Sequence, residues 1–220
     1  MLSGEPGIGK SRLVRALQER LADDAVLSFY SSANYQESPL YPVITHLERA
    51  AGFRRDDSPE QRCAKFEALV QPSIGDEAIM LIADLLSVSA DRYSSPNFNH
   101  QRRKDRLLEA VVAQLTALAG ERPVLEGFED AHWMDPTSRD LLDLMVDRAR
   151  TLPVLLLITY RPDFMPPWAS QAHATTLVLN RLASRHVIAM ADQITENGCH
   201  VKFTSISSIN RMECLSLSKS

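Results

Sequence analysis

The segment Gly4-Glu5-Pro6-Gly7-Ile8-Gly9-Lys10-Ser11 constrains this chain more than any other stretch. It has the form G-x-x-x-x-G-K-S. Glycines let the backbone curl so that successive N–H groups point inward at anionic oxygens. In such a curl the lysine, here Lys10, brings its ammonium to the β- and γ-phosphates of a nucleotide, and the hydroxyl, here Ser11, faces a Mg2+ ion. Residues 12–23 read as a helix with Leu13, Val14, Leu17 and Leu21 on one face. Its positive N-terminal end is aimed at the same anion. The bland alternative is a glycine turn before an ordinary helix. A phosphate cradle should follow a buried strand, yet only Met1-Leu2-Ser3 precede it, so the anchoring strand is expected to be a stub.

Downstream, strand patterns alternate with helical ones. Residues 25–31 read as a strand. Three helical segments follow: one after Pro42 with Val43, Ile44, Leu47 and Ala50 in helical register and Gly52 as its stop, one behind the capping box Ser58-Pro59-Glu60-Gln61 and running to about 71, and one over 76–87. A polar loop over 91–99 leads to a long helix, 100–119, ended by Gly120. Residues 123–130 read as a buried strand running into two acids, with Glu126-Gly127 interrupting its apolar run. Asp135 is the N-cap of the next helix. Residues 152–160 form a uniformly apolar core strand, 175–180 a further strand and 183–194 a last helix. This order predicts a three-layer α/β fold on a parallel sheet, with an inserted helical layer over about 38–120. The domain is expected to span 1–194. The serine-rich stretch 195–220 lacks any amphipathic period and is expected to have no fixed structure.

Binding a phosphate is not hydrolysing it. Hydrolysis also needs an acid near Mg2+ and a group that orients water. Acids where an apolar strand emerges at the carboxyl edge of a sheet meet that need, and Glu129-Asp130 fall there. Glu129 is assigned to the Mg2+ shell with Ser11, and Asp130 to water activation; the reverse assignment stays open, as does a helix N-terminus merely decorated with acids. His132 either senses the γ-phosphate or is a packed polar residue. Trp133 reads as core rather than as an adenine-stacking ring. Arg161, at the end of the 152–160 strand, either contacts the γ-phosphate or is a surface arginine paired with Asp163. The acids around His132 lack a matching set of zinc ligands.

The chain of 220 residues suits one domain, with or without a tail. A net charge of -4 provides no global basic field for nucleic acid, and Arg102-Arg103-Lys104 reads as a solvated helix start. Cys63, Cys199 and Cys214 have neither ligand-like nor paired spacing, which points to a reducing compartment. The apolar run at 154–158 is too short to cross a bilayer, and no charged-then-apolar leader pattern opens the chain. A soluble, cytoplasmic protein without membrane or nucleic-acid partners is expected.

Four stretches together carry a family resemblance: GEPGIGKSRL, YQESPLYPVITHLERAAGF, FEDAHWMDPTS and LLLITYRPDFMPPW. Over about residues 1–193 the chain resembles the ATPase module of large bacterial signalling proteins. In these an adenylate/guanylate cyclase domain often precedes the module and helical repeats follow it; related modules occur in LuxR-type regulators. The group belongs to the AAA-like and STAND branch of P-loop ATPases. The resemblance implies that 4–11 is the Walker A loop, that Glu129-Asp130 are the Walker B acids, and that Arg161 is the strand-end arginine. It implies ATP as the nucleotide, and protein partners or fused signalling domains in relatives. Past about 193 the likeness stops where the family continues into a helical lid; a truncated gene or a frameshift would produce such a break.

The expected function is therefore Mg-ATP binding and hydrolysis to ADP and phosphate. Asp130, Glu129, Lys10 and Arg161 are the catalytic candidates. Gly4, Glu5, Pro6, Gly7, Ile8, Gly9, Lys10, Ser11 and Arg12 are the nucleotide-binding ones. The alternatives are an ATP-binding switch or interaction module with little turnover, and a degenerate fragment. No acceptor site marks a small-molecule kinase.

Overall fold

A computed structural model of the protein describes residues 1–21, 25–70, 72–88, 93, 98–119 and 123–181. The chain divides into two units, Met1–Asn180 and Arg181–Ser220, and the elements below belong to the first. The helix expected over 183–194, the tail 195–220, the Gly120 stop and most of the 91–99 loop lie outside the described residues.

The strands are β1 (Leu2–Gly4), β2 (Ala25–Tyr30), β3 (Val124–Glu129), β4 (Val154–Tyr160) and β5 (Leu177–Leu179). They form one parallel sheet in the order β2-β3-β4-β1-β5. The helices are α1 (Lys10–Arg20), α2 (Tyr41–Ala51), α3 (Pro59–Leu69), α4 (Asp76–Leu85), α5 (His100–Ala119) and α6 (Pro136–Arg148). Parallel pairing demands right-handed crossovers. The step from β1 to β2 runs one way along the sheet and all later steps run the other way, so α1 covers one face and the later helices the opposite face.

Side-chain alternation confirms the three layers. Gly127 faces Val14 and Gln18 of α1, and the Gln18 amide donates to Ser28 Oγ at 2.9 Å. On the other face Phe29 and Phe128 stack at 4.3 Å, and Phe29 lies 4.7 Å from the His46 ring of α2. This side holds the densest core, with Phe66, Leu47, Leu81, Leu115, Leu141 and Leu142 fully buried. Among the described residues, the connection between β2 and β3 contains the helices α2 to α5. Ser58 and Gln61 cap α3 reciprocally, and Gly52 ends α2 at a φ of 70°.

The first strand is a stub of three residues, as expected, yet all three are buried. It pairs with β4 on one side and β5 on the other. An anchor that short suffices because both its edges are hydrogen-bonded. The Met1 ammonium also donates to the Thr175 carbonyl at 2.8 Å.

Two apolar readings change. Leu13 is 49% exposed and Leu155 is 55% exposed, although both were expected in the core. The helix crosses obliquely from β1 toward β2, where Gln18 meets Ser28, and leaves Leu155 uncovered. The break in β3 does not interrupt the strand. Register runs unbroken from Val124 opposite Val154 to Phe128 opposite Ile158. Glu126 is buried, and burial pushes its pKa up to about 7.

The basic cluster on α5 is a set of bolts rather than a free patch. Arg103 pairs with Asp84 of α4, Lys104 with Asp140 of α6, and Arg102 lies over the Phe98 ring. Such half-exposed pairs contribute about 0–1 kcal/mol each.

Candidate functional site

At the carboxyl end of β1 the chain leaves the sheet as the glycine loop. Gly7 and Gly9 take φ values of 74° and 105°. For a residue with a Cβ this region costs roughly 1–2 kcal/mol, and the loop needs it in order to turn its N–H groups inward. Gly4 is small for another reason. A Cβ there would sit 2.8 Å from Ile8 Cγ2 and 3.3 Å from the Leu179 carbonyl oxygen. Gly9 is the N-cap of α1, so the helix starts at Lys10 and runs on through the expected 12–23 stretch as far as Arg20.

Lys10 is 8% exposed. Its Nζ donates to the carbonyls of Gly4 at 2.7 Å and Glu5 at 3.0 Å. The ammonium is thus stored against the inner wall of the loop.

The acids arrive from β3. Glu129 is its last residue, and alternation from Gly127 puts Glu129 on the face covered by α1, the helix that begins with Ser11 in its first turn. Asp130 leaves the strand in the left-handed region, with φ 57° and ψ 46°. Its N–H donates to Thr159 Oγ1 at 3.0 Å. Thr159 is 1% exposed and sits on β4 beside Leu2 of β1. It therefore ties the acid-bearing turn to the strand next to the loop. This residue was not among the sequence candidates; a threonine inside the apolar run of 152–160 was the available signal.

Arg161 follows β4 directly. Its guanidinium lies 5.1 Å from the centre of the Trp133 ring. Trp133 is half-buried rather than core, and the arginine covers its outer face. His132 lies against Trp133, with ring centres 4.9 Å apart. Burial lowers the His132 pKa. Asp130 raises it, Arg161 lowers it, Asp163 raises it and Lys10 lowers it.

These segments meet. Pro6, Gly7, Gly9, Lys10, Ser11, Arg12, Asp130 and Arg161 line one cavity of about 300 Å³. Of the other candidates, Gly4, Glu5 and Ile8 belong to the same loop behind that lining, and Glu129 lies one residue before it on β3. A larger groove, about 700 Å³, runs between α4 and α5, but its central cation, Arg106, is already engaged by Glu77 at 2.6 Å and Glu109 at 2.9 Å. Chemistry, not size, singles out the smaller cavity: it joins a helix N-terminus, three cationic side chains and a strand-end carboxylate.

A hydroxyl and a carboxylate, Ser11 and Glu129, are hard oxygen donors of the kind Mg2+ takes. Among the described residues no three His, Cys, Asp or Glu side chains gather into a metal cluster. The donor set fits an ion that keeps water and substrate oxygens in its shell, not a closed protein cage. Among the described residues, no helix is long and apolar enough to cross a membrane.

Comparison with known proteins identifies a family for the chain. The profile of the family described as AAA ATPase domain matches residues 1–158. An uncharacterized protein of Rhizobium meliloti (strain 1021) is 30% identical over 187 residues, which cover 84% of this chain and 18% of that protein. The chain thus spans less than a fifth of that relative's length.

Proposed function

Because this chain belongs to the AAA ATPase domain family, we propose that it is the Mg-ATP-binding ATPase module of a bacterial signalling protein. One observation carries the reading: Lys10, Ser11, Asp130 and Arg161, from segments far apart in the sequence, line a single cavity at the mouth of the glycine loop.

In this reading the loop N–H groups and the start of α1 hold the phosphates. Lys10 exchanges its carbonyl partners for β- and γ-phosphate oxygens. Ser11 and Glu129 would hold Mg2+, which would supply positive charge to offset that of the phosphates. Asp130 accepts a hydrogen bond from a water and aims its oxygen at the γ-phosphorus. A bond forms between that oxygen and phosphorus, the bond to the β–γ bridging oxygen breaks, and its electron pair leaves with ADP. The water's proton passes by way of Asp130 to solvent. Arg161 takes up charge on the γ-phosphate. Catalysis is positioning and electrostatics, with no covalent intermediate.

The signalling context rests on the resemblance of the four motifs and on the far greater length of the relative. Protein partners or fused domains belong to that context. A second reading, an ATP-gated switch with little turnover, is favoured by the stacking of Arg161 over Trp133. Drawing the guanidinium to a phosphate would disturb the packing of the turn behind it.

Phosphate release under saturating Mg-ATP, set against binding, separates the two. Release lost in both Lys10→Ala and Asp130→Asn supports the ATPase. Binding lost in Lys10→Ala with no release from the parent supports the switch. No binding by the parent overturns both.

A further inference from the structure

Among the described residues, buried polar atoms without a hydrogen-bond partner occur at Ser31 Oγ, His46 Nε2, Gln171 Oε1 and both ring nitrogens of His132. His46 still makes one contact, through Nδ1 to the Ser28 carbonyl at 3.2 Å. In His132 the whole imidazole is unsatisfied. An orphaned buried polar group costs about 1–3 kcal/mol and calls for a reason.

The reason lies two residues away. Among the described residues the Asp130 carboxylate takes no hydrogen bond; only its backbone is engaged, the N–H by Thr159 Oγ1 and the carbonyl by the Trp133 N–H. The carboxylate lines the nucleotide cavity and His132 does not, yet the imidazole feels Asp130, Arg161, Asp163 and Lys10 together. An unpaired donor and an unpaired acceptor therefore sit side by side on one short turn, Ala131–Trp133 and the residue before it.

We propose that His132 is a positioning residue acting through Asp130: with a triphosphate in the cavity, its ring N–H donates to the Asp130 carboxylate and holds it toward the attacking water. The inference rests on the ATPase reading above. A neutral ring suits the task, and burial keeps this one neutral. A neutral donor fixes the orientation of a carboxylate without taking over its charge, so Asp130 stays able to accept the water's proton. The left-handed backbone of Asp130, pinned by Thr159, fixes where the carboxylate starts; His132 fixes where it points.

The test compares the parent with His132→Ala and His132→Gln in ATP affinity, phosphate release and melting temperature. In His132→Ala, kcat is expected to fall about 10- to 100-fold, the scale of a misplaced catalytic group, with affinity for ATP within about twofold of the parent by that same argument. His132→Gln, which keeps an N–H donor, restores part of the loss. An independent readout is the imidazole NMR signal of His132, one of six histidines. It shifts on adding a non-hydrolysable ATP analogue and not on adding ADP. Turnover unchanged in His132→Ala overturns the inference and leaves the ATPase reading standing. Equal losses in melting temperature, affinity and kcat, without rescue by glutamine, show a packing residue and overturn it too. No turnover from the parent overturns the reading and the inference together.

Discussion

The backbone N–H of Asp130 donates to the hydroxyl of Thr159 across 3.0 Å, and this bond couples the end of β3 to β4. Thr159 pairs in register with Leu2, two residues before the glycine loop begins. One buried hydroxyl thus fixes the acid-bearing turn relative to the phosphate cradle. Thr159→Val keeps the shape and removes the acceptor, leaving a part-buried N–H unsatisfied. A loss of about 1–3 kcal/mol in unfolding free energy is expected. Phosphate release should fall more than ATP affinity, because the turn that carries the water-orienting acid is released while the loop is untouched. Thr159→Ser, which keeps the hydroxyl, should retain most of both. Denaturant titration and steady-state kinetics on the two variants check this.

Much of the fold was legible because local signals agreed. The capping box at Ser58, Gly52 at a helix end, Asp135 at a helix start and the strand–helix alternation each have a short-range cause, and each element formed near its expected place. Strand-edge logic also brought Asp130 and Arg161 to the cavity of Lys10. What sequence could not supply is relational. The exposure of Leu13 depends on the slant of α1 across the sheet. The stacking of Arg161 on Trp133 joins residues 28 positions apart, through the order of β3 and β4. The acceptor role of Thr159 exists only because β3 and β4 are neighbours. Glu126 reads as a fault in a strand until its burial, which pushes its pKa up to about 7, is seen.

Gly4 and Gly9 should respond differently to alanine. At Gly9 a Cβ meets nothing within 4 Å, so Gly9→Ala acts through backbone strain alone, at a φ of 105°. That strain, roughly 1–2 kcal/mol, falls on the N-cap of α1, where the loop must present its N–H groups. Nucleotide affinity is expected to drop well beyond what the small loss of stability would suggest. At Gly4 the new Cβ would press on Leu179 Cβ at 3.2 Å and on its carbonyl oxygen at 3.3 Å, so β5 must move. Gly4→Ala should therefore cost about 1–3 kcal/mol of stability, as overpacking does, and lower affinity in step with it. Thermal melts paired with nucleotide titrations separate the two patterns.

Trp133 should report the state of the site. The chain has two tryptophans, and Trp168 is 2% exposed with its Nε1 donating to Asp143. Trp133 is half-buried under the Arg161 guanidinium, a contact of about 0.5–1 kcal/mol that a bound phosphate can outcompete. Adding Mg-ATP is expected to change the tryptophan emission, with ADP producing a smaller change. Arg161→Ala should abolish the difference between the two nucleotides, and Trp133→Phe should remove the signal while leaving affinity close to the parent's. A full signal in Trp133→Phe would assign the change to Trp168 and remove Arg161 from the explanation.

Glu126 should make stability fall as pH rises. Burial pushes its pKa up to about 7 in the folded chain, against 4.5 for a free glutamate. Below pH 4.5 the carboxyl is neutral in both states and costs nothing extra. Between 4.5 and 7 the unfolded chain ionises while the folded chain holds its proton, so the unfolded state gains about 1.4 kcal/mol per pH unit. Above 7 the penalty levels off near 3 kcal/mol by the same arithmetic. Glu126→Gln lacks the slope, so its advantage over the parent in urea unfolding should grow from near zero at pH 4.5 to a plateau above pH 7. Glu126→Leu should behave likewise, because Val112, Leu115, Met145 and Val154 line the same small cavity. Arg148 lines that cavity too. If parent and Glu126→Gln keep a constant difference across this range, the carboxylate is ionised in the folded state and paired with Arg148, and the buried neutral acid is excluded.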